Sequence, residues 1–254
     1  LQLSDSYRHC RQLAFGHYEN FPVASLLLPQ PQRDGIAAIY AFARSADDFS
    51  DEPEFEGQRK ALLKDWMARL DKPAQGHPVF TALQDAIQRW RLPKPLLRDL
   101  VKAFQQDLTQ KTYRDDRALL AYCRLSANPV GRLVLRVFNQ DSLQNLKDSD
   151  AICSALQLAN HWQDLGKDLR IRDRCYLPQD ALRRHKVKAA DLKASSASLA
   201  LRAAVAEQVE RADTLFVQGA RLGRRLPGRL GVEIRLTVAG GRKVLQKIRT
   251  LGFD

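Results

Sequence analysis

The helical spacing of the apolar residues constrains this chain more than any other feature. Through most of its 254 residues, apolar side chains recur at steps of three and four, which is the period of an amphipathic helix. Strand-like alternation is nearly absent, and proline or glycine separates successive periodic stretches. The sequence therefore predicts an all-α protein with helices close to residues 3–17, 33–50, 56–71, 78–90, 93–109, 117–139, 148–168, 199–223 and 230–250.

This helical pattern runs without a visible boundary between separate units. The chain has neither an internal repeat nor a Gly/Ser linker, and the Ala/Ser-rich residues 189–200 are short enough to be a loop. Its hydrophobic content of 44% is that of an ordinary globular protein. One domain covering residues 1–254 is therefore expected.

Cysteine usage and hydropathy indicate a cellular compartment. The four cysteines are scattered and form no C-x-x-C pair, which argues against a zinc site or a disulfide framework and fits a reducing cytoplasm. No apolar run approaches the roughly 18 residues that a membrane-spanning helix needs. We expect a soluble or peripheral protein in the cytoplasm.

Two carboxylates share one face of the predicted helix 33–50. Asp47 and Asp51 are four residues apart, so both side chains point the same way, and Arg44 precedes them by one turn. Hard oxygen ligands suit Mg²⁺. A solvated acidic helix end would produce the same pattern, so this motif alone leaves both interpretations open.

A second row of oxygen donors lies near the end of the predicted helix 148–168. Asn160, Asp164 and Asp168 fall at i, i+4 and i+8, which places them on one side of a helix. A polar stripe on a surface helix is the alternative. Two such rows in one helical chain favour a magnesium site, because Mg²⁺ takes only one or two protein carboxylates and completes its shell with water and substrate phosphate. Arg174 follows shortly after, either as a phosphate ligand or as an ordinary surface arginine.

Three motifs together resemble the head-to-head squalene/phytoene synthases. Residues 40–52 read Tyr-Ala-Phe-x-Arg-x-x-Asp-Asp-x-x-Asp-Glu, residues 157–168 read Gln-x-x-Asn-x-x-x-Asp-x-x-x-Asp, and residues 174–178 read Arg-x-Tyr-Leu-Pro. The resemblance covers almost the whole chain. It implies the helical isoprenoid (terpenoid) synthase fold with a central active-site cavity.

Within that family, the chain is most similar to the bacterial hydroxysqualene synthases of hopanoid pathways. The similarity lies in residues 17–25 and 126–132. Gln163 and Lys167 stand where phytoene and dehydrosqualene synthases usually carry Arg and Glu, a departure that the hydroxysqualene type shares. The resemblance implies Mg²⁺-dependent ionisation of presqualene diphosphate, rearrangement, and capture of the cation by water to give hydroxysqualene and diphosphate. Mn²⁺ is an alternative ion. No hydride donor is needed, and no G-x-G-x-x-G motif suggests an NAD(P)H site.

The resemblance also implies roles for individual side chains. The expected metal ligands are Asp47, Asp51, Asn160 and Asp164, with Asp48 and Asp168 as further candidates. The expected substrate-binding residues are His17, Asn20, Phe21, Tyr40, Arg44, Gln157, Arg174 and Tyr176. Phe104 and Leu158 are candidates for the apolar tunnel or for core packing. The expected catalytic set is Asp47, Asp51, Asp164 and, as a residue that orients water, Asn128.

Positive charge is concentrated towards the end of the chain. Residues 181–254 hold 16 Lys/Arg against 6 Asp/Glu, within a net charge of +12. Such a surface attracts anions, and we favour a peripheral anionic membrane over nucleic acid, for which no motif is visible. Transient contact with other enzymes of the pathway is also expected.

Three rival functions remain for comparison. The first is presqualene diphosphate synthase, which has the same fold and acts one step earlier on two farnesyl diphosphates, or another squalene/phytoene synthase. The second is a non-enzyme: a basic helical protein that binds membrane or nucleic acid, or a non-catalytic helical subunit, which would have little reason to keep both oxygen rows. The third, a di-iron bundle, is disfavoured because it expects Glu-x-x-His pairs and the sequence has none.

Overall fold

The computed structural model describes residues 2–16, 27–74 and 76–253. These ranges contain no β-strand, and an isolated parallel bridge joins Thr112 to Cys175. The all-α prediction is confirmed for them. Their α-helices, numbered α1 to α13 in chain order, are Leu3–Gly16, Gln30–Asp51, Arg59–Arg69, Pro78–Trp90, Lys94–Asp107, Asp116–Ser126, Asn128–Val137, Leu143–Gln163, Leu165–Ile171, Gln179–Arg184, Leu199–Gly219, Leu222–Arg225 and Gly228–Thr250.

Two of the predicted helices are each divided, and the single-helix prediction for them was wrong. Residues 117–139 form α6 and α7, because the backbone leaves helical geometry at Ala127 with φ −121° and ψ −49°. Pro129 stands in the first turn of α7 and has no backbone N–H, so in a continuous helix it could not donate to the Leu125 carbonyl. Residues 148–168 form α8 and α9, which meet at Asp164 with φ −96° and ψ 7°.

Several helix ends also differ from the sequence prediction. α2 begins at Gln30 because Pro31 occupies the first turn, where proline is well tolerated. α8 begins at Leu143, where the Ser142 hydroxyl caps the helix by accepting from the Asn145 amide at 3.3 Å. The short helix α10 after Pro178 was not predicted.

The middle of α2 is held by an aromatic cluster on one face. Phe42 stacks on Trp66 with ring centroids 5.8 Å apart, and Phe80 meets Trp66 edge-on at 4.6 Å. The indole N–H of Trp66 also donates to the Phe42 carbonyl at 3.1 Å. With this face of α2 fixed in the core, the opposite face is free to line a cavity.

α8 is the second central helix, and small residues let its neighbours approach it closely. It packs against α7, α11 and α13. A Cβ at Gly131 of α7 would collide with the side chains of Ser149 and Cys153, and a Cβ at Gly219 of α11 would come within 2.6 Å of the Asp148 carbonyl oxygen. The four cysteines are all buried as free thiols. In the part of the chain that the structure describes, no helix has the length and apolar character required to cross a membrane.

Candidate active site

A cavity of about 610 Å³ lies between the two central helices. Its lining also includes residues of α5, α6, α7 and the segment after α9. Along α2 the lining changes from Ile36 and Ile39 to Asp47 and Asp51, and along α8 it changes in the same way from apolar to polar. The cavity therefore has an apolar part and a polar part, as expected of a site for an amphiphilic molecule.

Both predicted rows of oxygen donors line the polar part of this one cavity. From α2 come Tyr40, Arg44, Asp47 and Asp51, which follow one another at steps of four, three and four. From α8 and the start of α9 come Gln157, Asn160, Asp164 and Asp168. Two segments more than 100 residues apart in the sequence thus present oxygen donors to the same space.

Two arginines after α9 join the rows together. Arg172 pairs with Asp51 at 3.0 Å and with Asp168 at 3.1 Å, and Arg174 pairs with Asp51 at 3.1 Å. Arg174 is only 7% exposed. Burial acts to lower its pKa, but the carboxylates of Asp51 and Asp107 outweigh burial and hold the Arg174 pKa above its usual value. The guanidinium therefore remains charged inside the cavity.

Arg172 is a cavity residue that the sequence prediction missed. The resemblance singled out Arg174 as the first residue of Arg-x-Tyr-Leu-Pro, whereas Arg172 lies outside that motif. Its spacing from Asp168, one helical turn, is the signal that could have indicated it. Burial raises the pKa of the Asp168 carboxyl, and the Arg172 charge opposes that rise.

A cluster of aromatic and titratable side chains forms another wall. Tyr176 stacks on His161 with centroids 3.6 Å apart. Burial lowers the pKa of His161 to about 3, with further lowering by Arg174 and Arg172, so this imidazole is neutral at physiological pH. Asp107 at the end of α5 and Tyr122 of α6 lie in the same wall. The sequence prediction gave no role to His161, Asp107 or Tyr122.

Some predicted site residues lie elsewhere or beyond the described ranges. Asp48 does not line the cavity and pairs with Arg44 at 2.7 Å. Asn128 also lies outside the lining; its side-chain oxygen accepts from the Ser154 hydroxyl at 2.9 Å, which links α7 to α8. Leu158 packs in the core, whereas Phe104 lines the cavity. Three further predicted residues lie outside the described residues: His17, Asn20 and Phe21.

Comparisons with known proteins agree with this geometry. The family model for squalene/phytoene synthase matches residues 15–254. A hydroxysqualene synthase of Rhodopseudomonas palustris is 36% identical over 91% of this chain and 80% of its own length. A hydroxysqualene synthase of Zymomonas mobilis is 38% identical over 86% of this chain and 75% of its own length. The crystal structure of squalene synthase HpnC from Alicyclobacillus acidocaldarius superposes with a TM-score of 0.91 at 38% identity, covering 99% of this chain and 96% of that one. The chain therefore belongs to the squalene/phytoene synthase family.

Proposed function

We propose that this protein is a hydroxysqualene synthase, which ionises presqualene diphosphate and lets water capture the rearranged cation. The observation that carries this proposal is the single cavity in which two rows of oxygen donors and two buried or half-buried arginines face an apolar space. The similarity to hydroxysqualene synthases supports this choice of substrate and product.

The donor set suits Mg²⁺ in type. The ligands we assign are Asp47 and Asp51 on one side and Asn160 and Asp164 on the other, all of them hard oxygen donors. Among the described residues, no group of three or more His, Cys, Asp or Glu side chains is arranged to hold an ion unaided. An ion bound by these residues would take its remaining oxygen ligands from diphosphate and water. Bound there, Mg²⁺ would neutralise the charge that develops on the departing diphosphate.

Basic side chains complete the proposed diphosphate site. Arg44, Arg172 and Arg174 present fixed positive charge to the polar part of the cavity. Asp51 holds the last two of these arginines through ion pairs, so the guanidinium groups are oriented before any substrate arrives. Preorganised charge of this kind stabilises a leaving anion without a reorganisation cost at the moment of ionisation. Gln157 supplies an amide to the same wall.

The apolar part of the cavity is suited to the hydrocarbon chains. Its walls include Ile36, Ile39, Leu100, Val130, Val134 and Leu156. Such walls limit the number of water molecules that can reach the cation. Tyr40 and Phe104 also line the cavity, and an aromatic face turned towards the cation would stabilise its positive charge.

Product analysis tests the proposal directly. The purified protein, supplied with presqualene diphosphate and Mg²⁺, is expected to release diphosphate and hydroxysqualene. Farnesyl diphosphate is supplied in a parallel reaction, and its conversion to presqualene diphosphate would favour the rival function instead. Asp47→Ala and Asp164→Ala serve as inactive controls. Full activity in either variant would contradict the assigned metal site.

We also propose that the protein acts at the cytoplasmic face of an anionic membrane. The support comes from α13, whose outer face exposes Val232 and Leu236, at 37% and 56%, beside Arg235, Lys243 and Lys247. An apolar strip flanked by basic side chains is typical of helices that lie in the membrane interface. A hydrocarbon substrate of this size partitions into lipid, so the same surface would bring the enzyme to its substrate.

A further inference from the structure

Asp107 is a buried carboxyl group in the cavity wall. It takes no part in the proposed metal site or in the proposed diphosphate site. It is the last residue of α5, it is 4% exposed, and it lines the cavity. One carboxylate oxygen, Oδ2, accepts a hydrogen bond from the Tyr122 hydroxyl at 2.7 Å. The other oxygen, Oδ1, is buried without a hydrogen-bond partner among the described residues. An unpartnered buried carboxylate oxygen is costly, and such groups often have a functional role.

The charged groups around Asp107 set its proton affinity. Burial is the largest effect and raises its pKa to about 7, while the Tyr122 hydrogen bond and Arg174 oppose the rise, Asp51 adds to it and Arg172 opposes it. Burial also raises the pKa values of the neighbouring Tyr113, Tyr122 and Tyr176, so these phenols stay protonated. His161 is neutral and a poor proton acceptor, because its pKa is lowered to about 3. Asp107 is thus the group in this wall whose proton affinity suits a base near neutral pH.

We infer that Asp107, acting through the Tyr122 hydroxyl, receives the proton released when water adds to the rearranged cation. This inference rests on the proposed function. In the step, the oxygen of water forms a bond to the cationic carbon and one O–H bond of that water breaks. The released proton passes to the Tyr122 oxygen as the phenol's own proton passes to Asp107 Oδ2. The products are a neutral alcohol, an unchanged tyrosine and a protonated Asp107, so atoms and charge balance.

Without such an acceptor, the cation has a competing outcome. It can lose a proton from carbon to the released diphosphate and leave as a hydrocarbon that has a carbon–carbon double bond in place of the alcohol. A positioned base favours the alcohol because it removes the proton as the carbon–oxygen bond forms. Asp107 and Tyr122 therefore determine which product leaves the site, whereas the arginines and the oxygen rows determine whether ionisation occurs.

Two measurements on one reaction distinguish ionisation from the choice of product. Wild type, Asp107→Asn and the matched control Asp99→Asn are given presqualene diphosphate and Mg²⁺, and both diphosphate release and the alcohol-to-hydrocarbon ratio are measured. Asp99 lies on the same helix but outside the cavity, where it pairs with Lys102 at 2.8 Å. In Asp107→Asn the alcohol share is expected to fall about tenfold or more, and diphosphate release at most about threefold. In Asp99→Asn the ratio should match wild type.

The pH profile and a second variant keep the inference testable even if Asp107→Asn folds poorly. In wild type the alcohol share should rise with pH around the Asp107 pKa of about 7, because only the ionised carboxylate can accept the proton. Tyr122→Phe, which breaks the relay, should lower the alcohol share and abolish this pH dependence. A wild-type ratio in Asp107→Asn at every pH would overturn the inference but leave the proposed function intact. Absence of diphosphate release by wild type would overturn the proposed function itself.

Discussion

Two adjacent aspartates of α2, Asp47 and Asp48, have different surroundings. Arg44 pairs with both, at 3.4 Å with Asp47 and at 2.7 Å with Asp48, but Asp47 lines the cavity and Asp48 lies outside the lining. The Asp48 side chain is 29% exposed, and an ion pair of this kind contributes only about 0.5 kcal/mol. The first aspartate is therefore a direct candidate for catalysis, and the second affects the site only through Arg44.

Replacing each of these aspartates by asparagine separates the two positions. Asp47→Asn is expected to lower the rate of diphosphate release by about 100-fold or more, because it removes a charged donor that faces the leaving group. It should also raise the Mg²⁺ concentration needed for half-maximal activity. Asp48→Asn should lower the rate by less than about tenfold and leave the Mg²⁺ dependence near that of wild type. Initial rates over a Mg²⁺ titration give both quantities, and equal losses in the two variants would contradict the distinction.

Asp107 also predicts how stability depends on pH. Its pKa is about 7 in the folded protein, against about 3.9 for an unfolded chain, so the folded state binds the additional proton between these values. Stability contributed by this group therefore falls as pH rises from about 4 to about 7 and is constant above that range. Asp107→Asn removes the ionisable group. The Tm of the variant relative to wild type should consequently increase from pH 5 to pH 8, as measured by thermal unfolding monitored by circular dichroism. A Tm difference that does not change with pH would show that Asp107 titrates normally in the folded protein.

At the level of helices, the sequence predicted where helical segments lie better than where a helix is broken into two. The heptad-like apolar spacing continues through Ala127 and Asp164, so it gives no sign that α6–α7 and α8–α9 are separate. Pro129 offered a local signal for the first break. The second break, at Asp164, has no proline beside it, so neither a proline nor the hydrophobic period marks it in the sequence.

The same reasoning explains which site residues the sequence revealed. The sequence could predict four of them, because helical spacing alone places oxygen donors on one face: Asp47, Asp51, Asn160 and Asp164. The placement of Asp107 beside Tyr122 could not be predicted, because it depends on how α5 packs against α6. The sequence motifs thus predicted which residues share one face of a helix. The residues that meet only when two helices pack together could be found only from the fold.

Because α11 and α8 approach each other closely at Gly219, adding one methyl group there is expected to lower the stability of the protein. A Cβ at Gly219 would lie 2.6 Å from the Asp148 carbonyl oxygen, a backbone atom that cannot rotate away. Gly219→Ala should therefore destabilise the protein by about 1–3 kcal/mol through overpacking. Gly240 of α13 is the matched control, because nothing lies within 4 Å of its would-be Cβ. Gly240→Ala should stabilise the helix by about 0.5–1 kcal/mol. Urea unfolding gives both values, and similar effects at the two positions would contradict the packing argument.

In the whole molecule, the excess of basic residues and the carboxylates that line the cavity lie in different parts of the sequence. The excess of basic residues lies in residues 181–254, whereas the carboxylates that line the cavity come from α2 and the residue after it, from the end of α5, from the α8–α9 junction and from α9. The excess positive charge therefore lies mainly in a part of the sequence that supplies none of the proposed metal ligands. An anionic membrane bound there, as proposed, would not compete with the substrate for the same side chains.

Vesicle sedimentation tests whether the protein binds an anionic membrane. The wild-type protein should bind vesicles that contain anionic lipid more tightly than neutral vesicles, and added salt should weaken the difference because it screens the basic side chains. Leu236→Ser should reduce binding, since it removes apolar area from the exposed strip of α13. Leu143→Ser, which alters a more exposed leucine at the start of α8, should leave binding near wild type and serves as the matched control. Equal binding to anionic and neutral vesicles would contradict the electrostatic part of the proposal. Preferential binding to RNA over anionic vesicles at the same salt concentration would instead assign the basic surface to nucleic acid.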